Sequence, residues 1–359
     1  MNLEFRRQHL QLAHTWNNAR TTGTDAVEVV IVELADAPGV AGLGEAAPVA
    51  RYHESADTVE AFCRKVDSRS LSFDDLTGSA AYLDTLSPGD GSAKCAFNIA
   101  LLDGAAKRAA KPIYDFLGLG FGEKHHVTSF TIGIDRPAVI RDKVLAAEEY
   151  PILKMKVGVR EDKVNLRALR DVAPTKPLRI DANEGWTTKE HALEMIEWLA
   201  RDRHIQFVEQ PMPASSPPRD WAWLKQRSPL PIFGDESYHL AKDAERAAEC
   251  FHGVNVKLVK AGGIIAGLEA LQAARKVGLH TMLGCMIETS ILATAGAHLA
   301  ELCDHLDLDG NLLITNDPYA GVTADCGILS FANAPEAFGL RVGAKRRQEQ
   351  KSCHPEIPP

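Results

Sequence analysis

From about residue 126 onward, short apolar runs alternate with amphipathic segments. The runs are VTSFTIGI (127–134), ILKMKVG (152–158), LRIDAN (178–183), IQFVEQP (205–211), PIFGDES (231–237), GVNVKLV (253–259), HTMLGCMIETS (280–290) and HLDLDGN (305–311). Their length and apolar character predict strands, several of them buried on both faces. The segments between them read as helices. TTKEHALEMIEWLAR opens with T-x-x-E, Thr187 and Glu190, which predicts a capping box. SILATAGAHLAELC places Leu292, Ala295, Leu299 and Leu302 on one helical face. Eight strands with helices between them predict an α/β fold, a parallel strand barrel.

One run departs from its neighbours. In LKMKVG, Leu153, Met155 and Val157 share one parity, and Lys154 and Lys156 the other. Residues two apart in a strand share a face and lie about 7 Å apart. Two ammonium groups therefore stand side by side in a strand that otherwise reads as buried. An edge strand with solvated lysines is the plain alternative, but the apolar parity and the flanking cadence favour burial. Most of the other strands also end on an ionisable residue: Asp181, Glu209, Asp235, Lys257 and Asp307. From Lys156 through Lys257 the steps are 25, 28, 26 and 22 residues, about one βα unit each. The C-terminal mouth of such a barrel is where active sites form, so these residues are expected to converge.

Three carboxylates forced together repel unless a cation joins them. Oxygen-only ligands favour a hard cation, with Mg²⁺ the first choice, and three side chains leave positions for substrate oxygens. Lys154 and Lys156 would flank the metal on one side and Lys257 on the other. That set suits abstraction of a proton next to a carboxylate. One lysine and the metal hold the enediolate, a second lysine takes the proton, and a lysine on the far face returns it with inversion.

Composition narrows the field. A net charge of −8 argues against nucleic-acid binding. The chain has no apolar run of about 18 residues, so no transmembrane helix is expected, and MNLEFRRQHLQL has charges where a signal peptide needs its apolar stretch. The seven cysteines, with no C-x-x-C, read as reduced thiols of a cytoplasmic protein. AKRRQEQKSCHPEIPP reads as a loose tail. KAGG (260–263) reads as a turn into a helix and not a phosphate loop, and His298, among Ala and Leu, as structural.

At these residues the sequence resembles the enolase superfamily, in its muconate-lactonising, K-x-K subgroup. GLGEAAP (42–48), NIALLDGAAKRAAKPIYDFLG (98–118), LKMKVG, DANEGW, VEQP, GDES, NVKLVKAGGI and GCMIET appear in family order and span nearly the whole chain. The resemblance implies an α+β N-terminal capping domain over residues 1–125, completed by about 325–359. It also implies a modified (β/α)7β TIM-like barrel over 126–324. Lys156 and Lys257 would be the acid/base pair, and Asp181, Glu209 and Asp235 the Mg²⁺ ligands. DLDGN supplies Asp307 and Asp309, a D-x-D on the last strand with both carboxylates on one face, fit for an ammonium group. D-x-D at this place resembles the dipeptide epimerases, where it holds a free α-amino group. Arg20, in NNARTTG, resembles the cap-loop arginine that binds a glutamate side chain in L-Ala-D/L-Glu epimerases. Thr131 and Cys285 occupy family positions lining the substrate cavity, and Tyr52 and His53 fall in a second cap loop. A small-molecule dipeptide is thus the expected partner. Barrels of this family often assemble into larger rings, which leaves a homo-oligomer open. Other readings remain: a cycloisomerase, an o-succinylbenzoate synthase, an N-acylamino acid racemase, a Schiff-base aldolase or a non-catalytic binding barrel.

Overall fold

The computed structural model describes residues 1–345, so most of the expected tail lies outside the described residues. Three antiparallel strands come first, β1 (Asn2–Trp16), β2 (Thr24–Ala35) and β3 (Ala41–Ala46), in that spatial order. The helix Gly91–Arg108 lies across β3 and β2. Contact is so close that a Cβ on Gly42 or Gly44 would stand 2.0 Å from the carbonyl oxygen of Ala100 or Ala96. This gives the GLG of the motif its physical reason: only glycine lets helix backbone and strand backbone touch.

The next residue of that motif ties the cap to the barrel. Glu45 is fully buried. Its carboxylate accepts from Thr289 N at 2.9 Å, Thr289 Oγ1 at 2.6 Å and Leu292 N at 3.3 Å, in the first turn of the helix Ser290–Ala297. Asp317 accepts from Ser290 N and Oγ in the same turn. Two acids thus satisfy amide donors that a helix N-terminus leaves free.

All eight expected barrel strands are present, shorter than the apolar runs: β4 (Phe130–Ile132), β5 (Leu153–Lys156), β6 (Leu178–Asp181), β7 (Ile205–Glu209), β8 (Ile232–Gly234), β9 (Gly253–Lys257), β10 (His280–Gly284) and β11 (His305–Asp307). They pair in parallel in sequence order. The sheet closes through the bridge Thr128–Leu306, the bond from Ser129 N to Leu306 O and that from Leu308 N to Thr128 Oγ1. Helices fill the crossovers, among them Asp162–Val172, Lys189–Leu199 and Ile264–Lys276. The protein is therefore a (β/α)7β TIM-like barrel carrying a separate antiparallel capping domain. Further along, Leu340 N bonds Asp103, whose other oxygen accepts from Leu43 N, so residues near 340 return to the cap.

Two local expectations are corrected. The helix cap is Thr188, not Thr187: Thr188 is extended, the helix starts at Lys189, and Oγ1 accepts from His191 N at 3.2 Å. The stretch from Ser290 to Cys303 is not one helix. It ends at Ala297 and resumes as a 3-10 turn, Ala300–Leu302, though Leu292, Ala295 and Leu299 are all buried. Inside the barrel, Phe207 and Phe233 stack at 4.2 Å and the buried guanidinium of Arg179 lies over Phe207. They form a floor one layer below the strand ends.

Burial pushes the Glu45 carboxyl up to about 7, and the Thr289 hydrogen bonds only partly oppose this. A carboxyl raised in the fold favours the protonated form there. Its contribution to stability is complete below the unfolded value of 4.5 and is lost as pH rises through 7. Asp317 and Glu288 are shifted the same way, chiefly by burial, so the comparison must be with a variant. Between pH 5 and 8 the wild type should lose roughly 3 kcal/mol more stability than Glu45→Gln, read from denaturant unfolding at each pH. Parallel pH profiles for the two proteins would show that Glu45 is not the source.

Candidate active site

The register of the parallel sheet brings Lys156, Asp181 and Glu209 side by side at the ends of β5, β6 and β7. Asp235 follows β8 by one residue, and Lys257 ends β9. Every one of these side chains is buried, as are Lys154, Asp307 and Asp309. β5 and β9 are four strands apart in a barrel of eight, so Lys156 and Lys257 face each other across the mouth.

The contacts are dense. Lys154 Nζ lies 3.0 Å from Asp181 Oδ2, 2.7 Å from Glu209 Oε2 and 2.6 Å from Asp307 Oδ2. Lys156 Nζ is 2.7 Å from Asp181 Oδ2, and Lys257 Nζ is 2.9 Å from Asp235 Oδ2. Burial disfavours the Lys257 ammonium, but Asp235, Glu209 and Glu236 together outweigh that and hold the group above its ordinary value. Asp181 is held down by Lys154 and Lys156 against its burial, and Asp235 by Lys257 and Lys260. Glu209 goes the other way. Burial, then the neighbouring charge of Asp181, push it up to about 7.

Two carboxylate oxygens test whether this set suits a cation. Glu209 Oε2 and Asp235 Oδ2 are buried and accept no well-aligned hydrogen bond, although an ammonium stands within ion-pair distance of each. Unsatisfied buried oxygens on adjacent strands are what a hard cation takes up. Among the described residues no three such side chains are already drawn together into a coordination shell. Lys154 bridges Asp181 and Glu209 instead.

On the side where the barrel closes, Asp307 Oδ1 accepts from Ser129 Oγ at 2.7 Å and Asp309 Oδ2 from Thr131 N at 2.6 Å. Both carboxylates reach the first strand segment, as alternation predicted. Only Asp307 is in a strand, however. β11 stops there, and Asp309 opens the 3-10 turn Gly310–Leu312. Cys285 Sγ is 3.5 Å from Asp309 Oδ1 and accepts from Gly310 N. Burial and then Asp307 push Asp309 up to about 6.

The cap reaches into the mouth. A Cβ on Gly158 would stand 2.8 Å from Ala19 Cβ, so the loop bearing Arg20 rests on the end of β5. Arg20 Nη1 donates to Asn183 O at 3.1 Å, to Glu184 Oε2 at 3.0 Å and to Glu236 Oε1. Trp16 at the end of β1 has its ring centroid 5.8 Å from Lys156 Nζ. Tyr52 packs edge-on to His239, with centroids 5.5 Å apart, and His53 takes a left-handed turn, φ 60. His298 is structural, as expected: Nδ1 accepts from Tyr114 N and Nε2 donates to Leu340 O.

Sequence reasoning missed several side chains. Lys260 is the plainest, because KAGG was read only as a turn. The turn is there, with Gly262 left-handed. But Lys260 is inside it, 2.5 Å from Asp235 Oδ1 and bonded to the carbonyls of Tyr238 and Asn255. Asn255 Nδ2 holds Glu209 at 2.8 Å, and Gln210 Oε1 accepts from Asp235 N at 2.8 Å. The available signal was spacing: Lys260 follows Lys257 by three, one helical turn beyond a strand end.

Comparison with known proteins agrees with this architecture. Residues 5–118 match the mandelate racemase / muconate lactonizing enzyme N-terminal domain, and residues 139–317 the enolase C-terminal domain-like family. The chain is 65% identical over 347 residues to the L-Ala-D/L-amino acid epimerase of Pedosphaera parvula, covering 96% of this chain and all of that protein. It is 38% identical to the L-Ala-D/L-Glu epimerase of Bacteroides thetaiotaomicron, over 93% of this chain and 86% of that one. It superposes on the dipeptide epimerase of Cytophaga hutchinsonii, crystallised with Mg and D-Ala-L-Val, with a TM-score of 0.88, 30% identity and 96% of each chain covered. With both domain matches in order and relatives this similar over most of their length, the chain belongs to the mandelate racemase / muconate lactonizing enzyme family of the enolase superfamily, among its dipeptide epimerases.

Proposed function

We propose that the protein inverts the α-carbon of the C-terminal residue of L-Ala-D/L-Glu-like dipeptides by a Mg²⁺-dependent, two-base proton transfer. The observation that carries this reading is the placement of Lys156 and Lys257 on opposite strands, with three strand-end acids between them.

Asp181, Glu209 and Asp235 would hold Mg²⁺, which when bound supplies positive charge that makes the proton beside the substrate carboxylate easier to remove. Lys156, when neutral, takes the α-proton from one face. The electron pair of the broken C–H bond moves into the carboxylate to give an enediolate. Lys257, when protonated, delivers a proton to the opposite face, and the new C–H bond has inverted configuration. The reverse reaction exchanges the two roles. Lys154, already among three carboxylates, donates to the substrate carboxylate and to the charge that grows on it. Asp307 and Asp309 take the free ammonium by charge-assisted hydrogen bonds. Thr131 and Cys285 fix Asp309 and line that end of the cavity, and Arg20 meets the C-terminal side chain. N-acylamino acids and the acids used by cycloisomerases lack the ammonium that this acidic pair requires. A Schiff-base aldolase has no use for three strand-end acids.

Chelation should abolish turnover of L-Ala-L-Glu and added Mg²⁺ restore it, with Asp181→Asn binding the metal more weakly by calorimetry. Full activity in EDTA would sink the reading. Replacing either Lys156 or Lys257 with Ala should remove epimerisation. One such variant is expected still to exchange the α-proton of one epimer with D₂O, followed by NMR. An alanine variant that epimerises at the wild-type rate would show that the base has been misassigned. Lys154→Met should lower kcat by about 10²–10³-fold, whereas a rise in KM alone would mean that Lys154 binds ground and transition states equally. N-acetylation of L-Ala-L-Glu should cost several kcal/mol in kcat/KM, because it leaves buried carboxylates unpaired. Equal use of the acylated and free substrates would favour an acylamino acid racemase.

A further inference from the structure

We infer that Glu184, held by Arg51, neutralises Arg20 and so makes the subsite for the C-terminal side chain indifferent to charge, admitting neutral polar side chains as readily as acidic ones. The inference rests on the epimerase reading and concerns its substrate class.

Arg20 is already engaged by acidic neighbours. A guanidinium awaiting a substrate carboxylate would be expected to lack acidic partners. Here Nη1 meets two carboxylates, Glu184 and Glu236, and the carbonyl of Asn183. Glu236 is almost entirely buried, and Glu184 is nearly so. Glu184 is fixed from every side: Arg51 grips it bidentately, Nε to Oε2 at 2.8 Å and Nη2 to Oε1 at 2.9 Å, and Ala214 N donates to Oε1 at 2.7 Å. Its backbone is left-handed, φ 70, after Asn183 at φ 43, a conformation that costs energy in residues other than glycine and persists only where surrounding contacts enforce it. The four side chains carry two positive and two negative charges. The Nε and Nη2 hydrogens of Arg20 meet no acceptor among the described residues, so the group can still donate hydrogen bonds. A ligand therefore finds a donor without net positive charge. An amide or hydroxyl accepts from such a donor without penalty, while a carboxylate, which accepts the stronger bond, also meets the repulsion of Glu184 and Glu236, which offsets that advantage.

The test is a ratio, kcat/KM for L-Ala-L-Glu divided by kcat/KM for L-Ala-L-Gln, in which the fraction of active enzyme cancels. The wild-type ratio should lie within about tenfold of one. Glu184→Gln removes the opposing charge and should raise it about tenfold or more, since a full charge within a few ångströms is worth at least that at a partly buried site. Arg51→Met leaves Glu184 to Arg20 alone and should lower the ratio. It decides the matter if Glu184→Gln does not fold. A wild-type preference for Glu above tenfold, or a ratio that neither variant moves in its stated direction, overturns the inference. In that case turnover of both dipeptides leaves the epimerase reading standing. If neither dipeptide exchanges its α-proton, the epimerase reading itself fails.

Discussion

The mouth of the barrel must keep many charges out of water, and the rest of the structure answers to that constraint. Lys154, Lys156, Lys257 and Lys260 are set among Asp181, Glu209, Asp235, Asp307 and Asp309 in one buried group. A buried charge without a partner is strongly destabilising, so each must be matched in place. Five acids against four lysines leave an excess of negative charge. That excess suits a centre that takes a dication and an ammonium. It falls on Glu209 and Asp309, the two carboxyls pushed upward while the other three are held down.

Such a group needs a rigid frame. Asn255 and Gln210 fix Glu209 and the Asp235 backbone, and Lys260 spends its donors on Asp235 and nearby carbonyls. Below, Arg179 donates to Leu306 O and to Ser129 Oγ, and Ser129 in turn donates to Asp307. The Asp307 position is thus set from the barrel floor and from the closing strand together. Pre-set donors and acceptors of this kind need little reorganisation when substrate charge develops.

The eight strands, the strand-end residues and the inward pair Lys154 and Lys156 were legible because they depend on local periodicity: parity two within a strand and one βα unit between strands. Alternation added Asp309 beside Asp307, and the family resemblance gave that pair a role. What was not legible depends on distance along the chain or on loop geometry. Glu184 meets Arg20 across 164 residues, and nothing in NNARTTG or DANEGW announces the pair. Lys260 points inward because a short helical turn follows β9, a bend that periodicity does not encode. Thr187 and Thr188 are equally good caps by type, and the backbone chose between them only where the strand-to-helix loop ends.

The cap closes this frame from above, and its own stability is bound up with the barrel's. Gly42 and Gly44 let β3 lie against its helix, and this delivers Glu45 to the first turn of the barrel helix Ser290–Ala297. With the cap so anchored, its loops touch the mouth at three points. Trp16 lies over Lys156 on the β5 side, and Arg20 bonds to residues that follow β6 and β8. Tyr52, half-buried, packs edge-on against His239 in the loop that follows β8. Of the two lysines proposed to move a proton, Lys156 therefore has an aromatic residue of the cap beside it. In the proposed reaction barrel lysines serve the two faces of the substrate carbon, but the surroundings of Lys156 include the other domain. Neither domain presents this site without the other, which is why the motifs that carry it run from residue 20 to residue 309.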